Sequence, residues 1–436
     1  MIMARKGGAG VMGRMSGLSA LGSVLLAVVF FAQNAMADDT EIYKPSYATV
    51  PYVMLLVDTS GSMSGAISDE DSSQRMATMK NALHTMLSPE NSSDDYHIGL
   101  ARYTSPGGAI LYPIKRLGDP ASVTTTYYGA GPEDDFRLSP DFVSDDRILN
   151  VSSGDGSVLG VRIANVGIPR GAHIDSAALV FTNNGNFSGS VQLGVKIAQQ
   201  SNTPQIANQT EFDGLPWSSE KASSPIVSGA QLDSQMAVTI DVSTMLAARV
   251  LASDWAAENA LAFRVTADTG TIGFYSTESA TEAAGNTGRL LRQFRPRLYV
   301  KYHTDETTVR DALKAVVEEL PTIGDTPLIG SYYEVAHYML GKAAHFGLAR
   351  GSQNWRLAMR VSNLSSMIGP VSESRDAMCV DAALDSRACM SQQISGTPIY
   401  DAPALSDCSV SPAIVMLTDG EPNNERCTAG DPTDRC

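Results

Sequence analysis

The chain has 436 residues, of which 43% are hydrophobic and 18% charged, and carries a formal net charge of -15. This is globular composition, which excludes a disordered chain and allows two or three domains with cores of their own. The acidity argues against nucleic acid or an anionic membrane surface as a partner.

The first elements in chain order are not fold. Arg5, Lys6 and Arg14 form a basic start, Leu18 to Ala32 an apolar run, and Ala35-Met36-Ala37 a small-x-small cleavage site, so residues 1–37 read as a secretory signal peptide. The run falls short of the roughly 20 residues that a spanning helix needs, which favours cleavage over anchoring. Cleavage removes three positive charges and no negative ones, taking the net charge from -15 to -18. Residues 38–50 read as a linker.

Tyr52 to Val57 is a continuous apolar run bounded by Pro51 and an Asp-Ser-Gly cluster, the pattern of a strand buried on both faces of a parallel sheet. Met76, Met79, Leu83, Met86 and Leu87 at helical spacing predict a helix over 73–87, with Pro89 just beyond. His97 to Tyr103 and Ile110 to Ile114 read as two further strands.

From Thr124 to about Tyr302 no long amphipathic helix is expected. Short β-rich runs recur at Val158 to Ile163, Ala177 to Thr182, Val191 to Ile197, Val238 to Val242, Ala260 to Thr266, Ile272 to Ser276 and Arg297 to Tyr302, separated by Gly, Asn, Ser and Pro. That pattern predicts an antiparallel β-sandwich or jelly roll. Trp217 and Trp255 are expected in its core. At Thr304 the helical period returns, with Val309, Leu313, Val316, Val317 and Leu320 on one face. Asp325-Thr326-Pro327 then opens a helix to about Leu340, and Ala413 to Leu417 is a second fully apolar strand that ends in Thr418-Asp419-Gly420.

The expected architecture is therefore α/β, a doubly wound, mostly parallel, Rossmann-like sheet interrupted by the β-sandwich. Its parts are 51–119 for the first half, 120–303 for the insertion and 304–436 for the second half. An insertion at a strand-to-helix loop costs little.

All five cysteines, Cys379, Cys389, Cys408, Cys427 and Cys436, lie late in the chain. In an exported protein they read as local disulfides. Cys379 with Cys389 and Cys427 with Cys436 is the simplest pairing and leaves Cys408 over. No C-x-x-C pair and no nearby His supports a metal site there.

In an open parallel sheet, ligands sit beyond the carboxyl ends of the strands. Asp58 and Asp419 both follow buried-type strands. Ser60 and Ser62 lie in the turn after Asp58, and Thr326 opens a helix that must begin near the same edge. Two carboxylates and three hydroxyls are hard oxygen donors, suited to Mg²⁺, Ca²⁺ or Mn²⁺ and not to zinc or copper. Such short neighbours cannot surround a divalent ion, which leaves a position for water or an outside ligand. Taken singly, Ser60 and Ser62 could cap a helix, Thr326 could be an N-cap, and Asp419 a turn residue.

Asp58-Thr59-Ser60-Gly61-Ser62 resembles the D-x-S-x-S signature of von Willebrand factor A domains. Thr326 looks like the second-loop threonine of that family, and Asp419, in Leu417-Thr418-Asp419-Gly420-Glu421-Pro422, like its third-loop aspartate. The resemblance implies a metal-ion-dependent adhesion site whose open position takes a carboxylate from a protein partner. More widely, the export signal, the domain start, Gly324-Asp325-Thr326-Pro327-Leu328 and the Cys-containing approach to Ile414–Pro422 are similar to the N-terminal part of type IV pilus tip-associated adhesins of the PilY family. Val158–Ile163, Ile168–Ala172, Ile174–Ala177, Asn259–Phe263 and Arg295–Leu298 are similar to the DNRLRE-type β-sandwich of bacterial surface proteins.

These resemblances imply an exported adhesion module of the periplasm, cell surface or pilus tip, with minor pilins or a surface receptor as partners, no nucleic acid, and no membrane span after cleavage. Relative to those families the chain ends early, so the C-terminal part of the A-type domain is expected to be missing. Two other functions compete. In a structural surface module the ion would only stiffen the loops, with Glu421 and Asp325 closing the shell. A metal-dependent hydrolase of dehalogenase type would need an acid where Ser60 stands, and no other catalytic motif is present, so the chain is not expected to be an enzyme.

Overall fold

The computed structural model describes residues 50–67, 74–104, 107–138, 141–144, 146–229, 235–282, 292–350, 360–403 and 411–420. The expected signal peptide, nearly all of the linker, Glu421, Cys408, Cys427 and Cys436 lie outside these residues. The described chain begins with β1 (Pro51–Val57), α1 (Arg75–Met86), β2 (His97–Thr104) and β3 (Gly107–Arg116). There follow β4 (Val123–Tyr128), β5 (Asp135–Leu138), β6 (Phe142–Val143), β7 (Ile148–Ser152), β8 (Val158–Val166), β9 (His173–Ile197), α2 (Gln209–Asp213), β10 (Ala222–Ser223), β11 (Ala237–Asp241), α3 (Ser243–Leu251), β12 (Asn259–Tyr275), α4 (Thr277–Glu282) and β13 (Arg297–His303). Last come α5 (Val309–Glu318), α6 (Leu328–Met339), the short strands β14 (Met367–Ile368), β15 (Val371–Ser374), β16 (Gln393–Gly396) and β17 (Ile399–Tyr400), and β18 (Ser411–Leu417).

The molecule is mixed α/β, with a small mixed sheet and a large, curled antiparallel one. The small sheet has the order β18-β1-β2-β3. The apolar β1 is central and parallel to both neighbours, while β3 runs antiparallel to β2. Both faces of β1 are covered, which is why its sequence runs apolar without alternation. Leu55 and Val57 face Met76, Met79 and Leu83 of α1 and Val309, Leu313 and Val317 of α5. Met54 and Leu56 face Val335, Tyr338 and Met339 of α6 on the other side. Asp311 accepts hydrogen bonds at 3.0 Å from both the backbone N–H and the hydroxyl of Thr308, which caps α5.

Ten strands, β4 to β13, form one continuous antiparallel sheet, where two separate sheets were expected. The difference lies in β9 and β12. Ala177–Thr182 and Val191–Ile197, read as two strands, are one 25-residue strand, and Ala260–Thr266 and Ile272–Ser276 fall mostly within the 17-residue β12. The intervening Asn-Asn-Gly-Asn and Thr-Gly residues make bulges in place of turns. The β12–β9 register shifts between Thr269 and Thr271 and again between Ile272 and Phe274. Gly189 (φ +76°) and Gly270 (φ +70°) lie together at the irregularity, where a Cβ on Gly189 would come 3.8 Å from Gly270 Cα. Bulges of this kind bend strands and increase their twist. The curl wraps a core that includes Leu179, Phe181, Val195, Phe263, Phe274 and Leu298. The nine-residue α3, packed on it through Met245, Leu246 and Val250, is a helix the sequence pattern missed.

The chain leaves the small sheet after β3 and returns at α5, and the two crossings run side by side. Ala121 N–H donates to Thr307 O (3.1 Å) and Val309 N–H to Asp119 O (2.9 Å). Cys379 and Cys389 form a disulfide, as their short separation suggested.

Candidate metal centre

The register of the small sheet builds the site. Val57 pairs with Leu417 across the parallel β1–β18 ladder, so Asp58 and Thr418-Asp419 emerge side by side at the carboxyl ends. Asp58 N–H donates to Leu417 O at 2.8 Å and extends the ladder by one bond. The Asp58 side chain then turns back. Its Oδ1 accepts the backbone N–H of Ser60 at 2.8 Å, and its Oδ2 accepts the Thr418 hydroxyl at 2.8 Å. The first of these bonds is an Asx-type turn.

Ser60 precedes a short 3-10 turn, Gly61–Ser64, but its side chain does not cap it. The Ser60 and Ser62 hydroxyl oxygens instead lie 2.9 Å apart, and Ser62 donates to Asp419 Oδ1 at 2.8 Å. Asp58, Ser60, Ser62 and Asp419 are thus brought together across a separation of more than 350 residues. The loop carrying Thr326 is docked on the same turn. Gly61 N–H donates to Gly324 O (3.0 Å) and Ile323 N–H to Thr59 O (2.6 Å). Gly324 has φ +104°, a conformation in which a residue with a side chain would be strained. Thr326 itself is buried, two residues before the start of α6.

Two further features bear on the site, the first at a residue the sequence pattern did not single out. Arg75, the first residue of α1, donates to Asp419 Oδ2 at 2.6 Å and is partly exposed. Asp325 Oδ2 is buried and has no hydrogen-bond partner among the described residues. Neither follows from local spacing, because each depends on how loops far apart in the chain dock.

The residues fit a hard divalent cation. Asp58 is 0% exposed and, among the described residues, has no ion-pair partner. An unpaired buried carboxylate is costly, and a cation would offset that cost. Octahedral Mg²⁺ at about 2.1 Å would place adjacent ligand oxygens about 3 Å apart. The Ser60–Ser62 and Ser62–Asp419 separations of 2.9 and 2.8 Å are those of ordinary hydrogen bonds, and an ion could replace these bonds without moving the oxygens far.

The large sheet carries a separate cavity of about 320 Å³, bordered by Lys196, Trp217, Lys221 and Arg264. Trp217, expected in the core, is half-buried there and donates its indole N–H to Phe212 O. Trp255 is buried as expected. Arg264 and Lys221 are ion-paired to Asp213 and Asp268, each at 2.8 Å. No described helix is long and apolar enough to cross a membrane. No protein-family model and no curated protein matches the chain.

Proposed function

We propose that this chain is an exported, divalent-cation-dependent adhesion or protein-binding module of von Willebrand factor A type. In this reading the small sheet is the core of a doubly wound domain, and the large sheet is a DNRLRE-type insertion. The observation that carries it is the hydrogen-bonded convergence of Asp58, Ser60, Ser62 and Asp419 at the carboxyl edge of parallel strands. The docked Thr326 loop supports it further. Asp58, Ser60, Ser62, Thr326 and Asp419 would hold Mg²⁺ or Ca²⁺, with Mn²⁺ a further fit. When bound, the ion supplies an open coordination position for a carboxylate of a protein partner. The chain's own contribution is to fix the hydroxyls: Asp58 orders the turn through Ser60 N–H, and the β1–β18 register carries Asp419 to Ser62.

The similarity to the PilY family points to a type IV pilus tip or cell surface, with minor pilins or a surface receptor as partners. The Cys379–Cys389 disulfide is consistent with an oxidising, exported location. A second reading, a structural module whose metal shell is closed by protein, draws on Asp325 Oδ2, buried and without a hydrogen-bond partner among the described residues. Magnesium titration calorimetry and a pull-down with and without chelator test the proposal. Asp58→Ala is expected to abolish both metal binding and metal-dependent partner capture. Capture that survives both the variant and the chelator would reject it, and a metal-bound structure without a ligand water would favour the closed-shell reading.

A further inference from the structure

The end of the large sheet nearest the chain crossings carries a second group of ligating side chains, chemically unlike the first. His173 opens β9 and His303 closes β13, and the antiparallel register sets them directly opposite one another. Asp175, two residues along β9, is the extra residue where the β9–β13 register shifts, and its side chain lies on the His173 side. The two imidazole rings have centroids 4.7 Å apart. Asp175 Oδ1 is 3.2 Å from His173 Nδ1 and 2.9 Å from His303 Nδ1. One ligand atom from each residue falls within 4.8 Å of the other two, and among the described residues no other three His, Cys, Asp or Glu side chains are so placed.

The histidine side chains are 71% and 44% exposed and can be reached from solvent, whereas the carboxylate is 23% exposed. Burial of Asp175 works against its charge, but the Ser122 hydroxyl and the two histidines outweigh it and hold the carboxyl below its usual range. The backbone beneath is well anchored, because the neighbouring Ile174 and Tyr302 belong to the core of the large sheet.

We propose that His173, Asp175 and His303 form a binding site for a transition-metal dication of the Zn²⁺ class. Two imidazole nitrogens and one carboxylate oxygen suit borderline ions, whereas Mg²⁺ and Ca²⁺ prefer an all-oxygen shell. Three protein ligands leave a tetrahedral ion at least one position for water or an outside group. The location gives the site a structural consequence. His303 leads directly into the returning crossing, and Ser122, which touches Asp175, belongs to the outgoing one beside the Ala121–Thr307 hydrogen bond. An ion held there ties β9, β13 and both crossings together, bracing the stem of the large sheet. This does not rest on the oxygen site, which it resembles in neither ligands nor preferred metal.

The test titrates Zn²⁺ alone into untagged, metal-free protein in buffer that holds excess Mg²⁺ for the oxygen site. One saturating equivalent is expected, together with a rise in thermal midpoint. His173→Gln and His303→Gln should each weaken binding by at least about tenfold, since loss of even an outer-shell partner costs about that much. His173 is exposed and His303 partly so, and circular dichroism checks that the variants are folded. Asp58→Ala should bind Zn²⁺ as the parent does. Binding that persists in both histidine variants, or no binding up to about 100 µM, overturns the proposal. Loss of Mg²⁺ binding in Asp58→Ala with Zn²⁺ binding intact supports both sites, and retained Mg²⁺ binding there counts against the oxygen site alone.

Discussion

At the scale of single residues, Arg75 is the side chain that most alters the candidate metal centre. Its guanidinium lies 2.6 Å from Asp419 Oδ2, so a cation arriving at Asp419 meets a positive charge already in place. Arg75→Ala is therefore expected to tighten Mg²⁺ binding several-fold, on the order of 1 kcal/mol after allowance for its partial exposure, and less so at high salt. Calorimetry at two ionic strengths checks this, and weaker binding would mean that Arg75 positions Asp419. The candidate residues that converge there were legible: Asp58, Ser60 and Ser62 share one turn, and Asp419 ends the other apolar strand. Arg75 was not, because only the docking of α1 beside β18 gives it a partner.

Asp135 marks the other residue-level consequence. It is buried, one oxygen accepts both the N–H and the hydroxyl of Thr277, and the other has no hydrogen-bond partner among the described residues. Burial pushes its carboxyl up to about 7; the Thr277 bonds oppose the shift, while Glu278 and Asp134 add to it. A carboxyl whose folded value is raised favours the folded state while protonated, so its contribution is present at about pH 4 and is lost as pH rises towards 7. Asp135→Asn should remove that loss. The variant should be more stable than the parent at pH 8 by roughly 1–3 kcal/mol and little different at pH 4, as read by chemical denaturation at both values. Equal stability of the two proteins at pH 8 would contradict this.

At the scale of elements, the helices packed on the small sheet and the strands of that sheet followed from apolar spacing, since each packs against neighbours that demand it. The long strands did not. Asn183-Asn184-Gly185 and Thr269-Gly270 have the composition of turns, yet the ladder between β9 and β12 resumes on either side of them, and they become bulges. Gly270 shows why the residue type is still required: its φ is +70°, and a Cβ there would come 2.5 Å from Ser190 O. Gly270→Ala is expected to cost about 1–3 kcal/mol, the usual range for strain at such a position, and to lower the unfolding midpoint. An unchanged midpoint would mean that the bend does not need glycine.

At the scale of the whole molecule, the candidate metal centre joins the first and last described strands, since Ser62 and Asp419 are 357 residues apart. Unfolding separates these residues, so an ion bound as proposed would be held by the folded chain alone. At one hundred times its dissociation constant Mg²⁺ should add about 2.7 kcal/mol of stability, seen as a raised thermal midpoint that is absent in Asp58→Ala. An identical shift in that variant would place the stabilising ion elsewhere.

What the sequence by itself determined was the alternation of α/β and all-β regions and the candidate set of hard-oxygen side chains, because each is written in local spacing and chemistry; it offered Cys379 with Cys389 as the simplest pairing, which the structure contains. Only the tertiary structure decided that Val57 pairs with Leu417, that the Thr326 loop docks on the Asp58 turn, that Arg75 meets Asp419 and that His173 faces His303. Those are matters of register and docking between segments far apart in the chain, where no local pattern of residues carries the information.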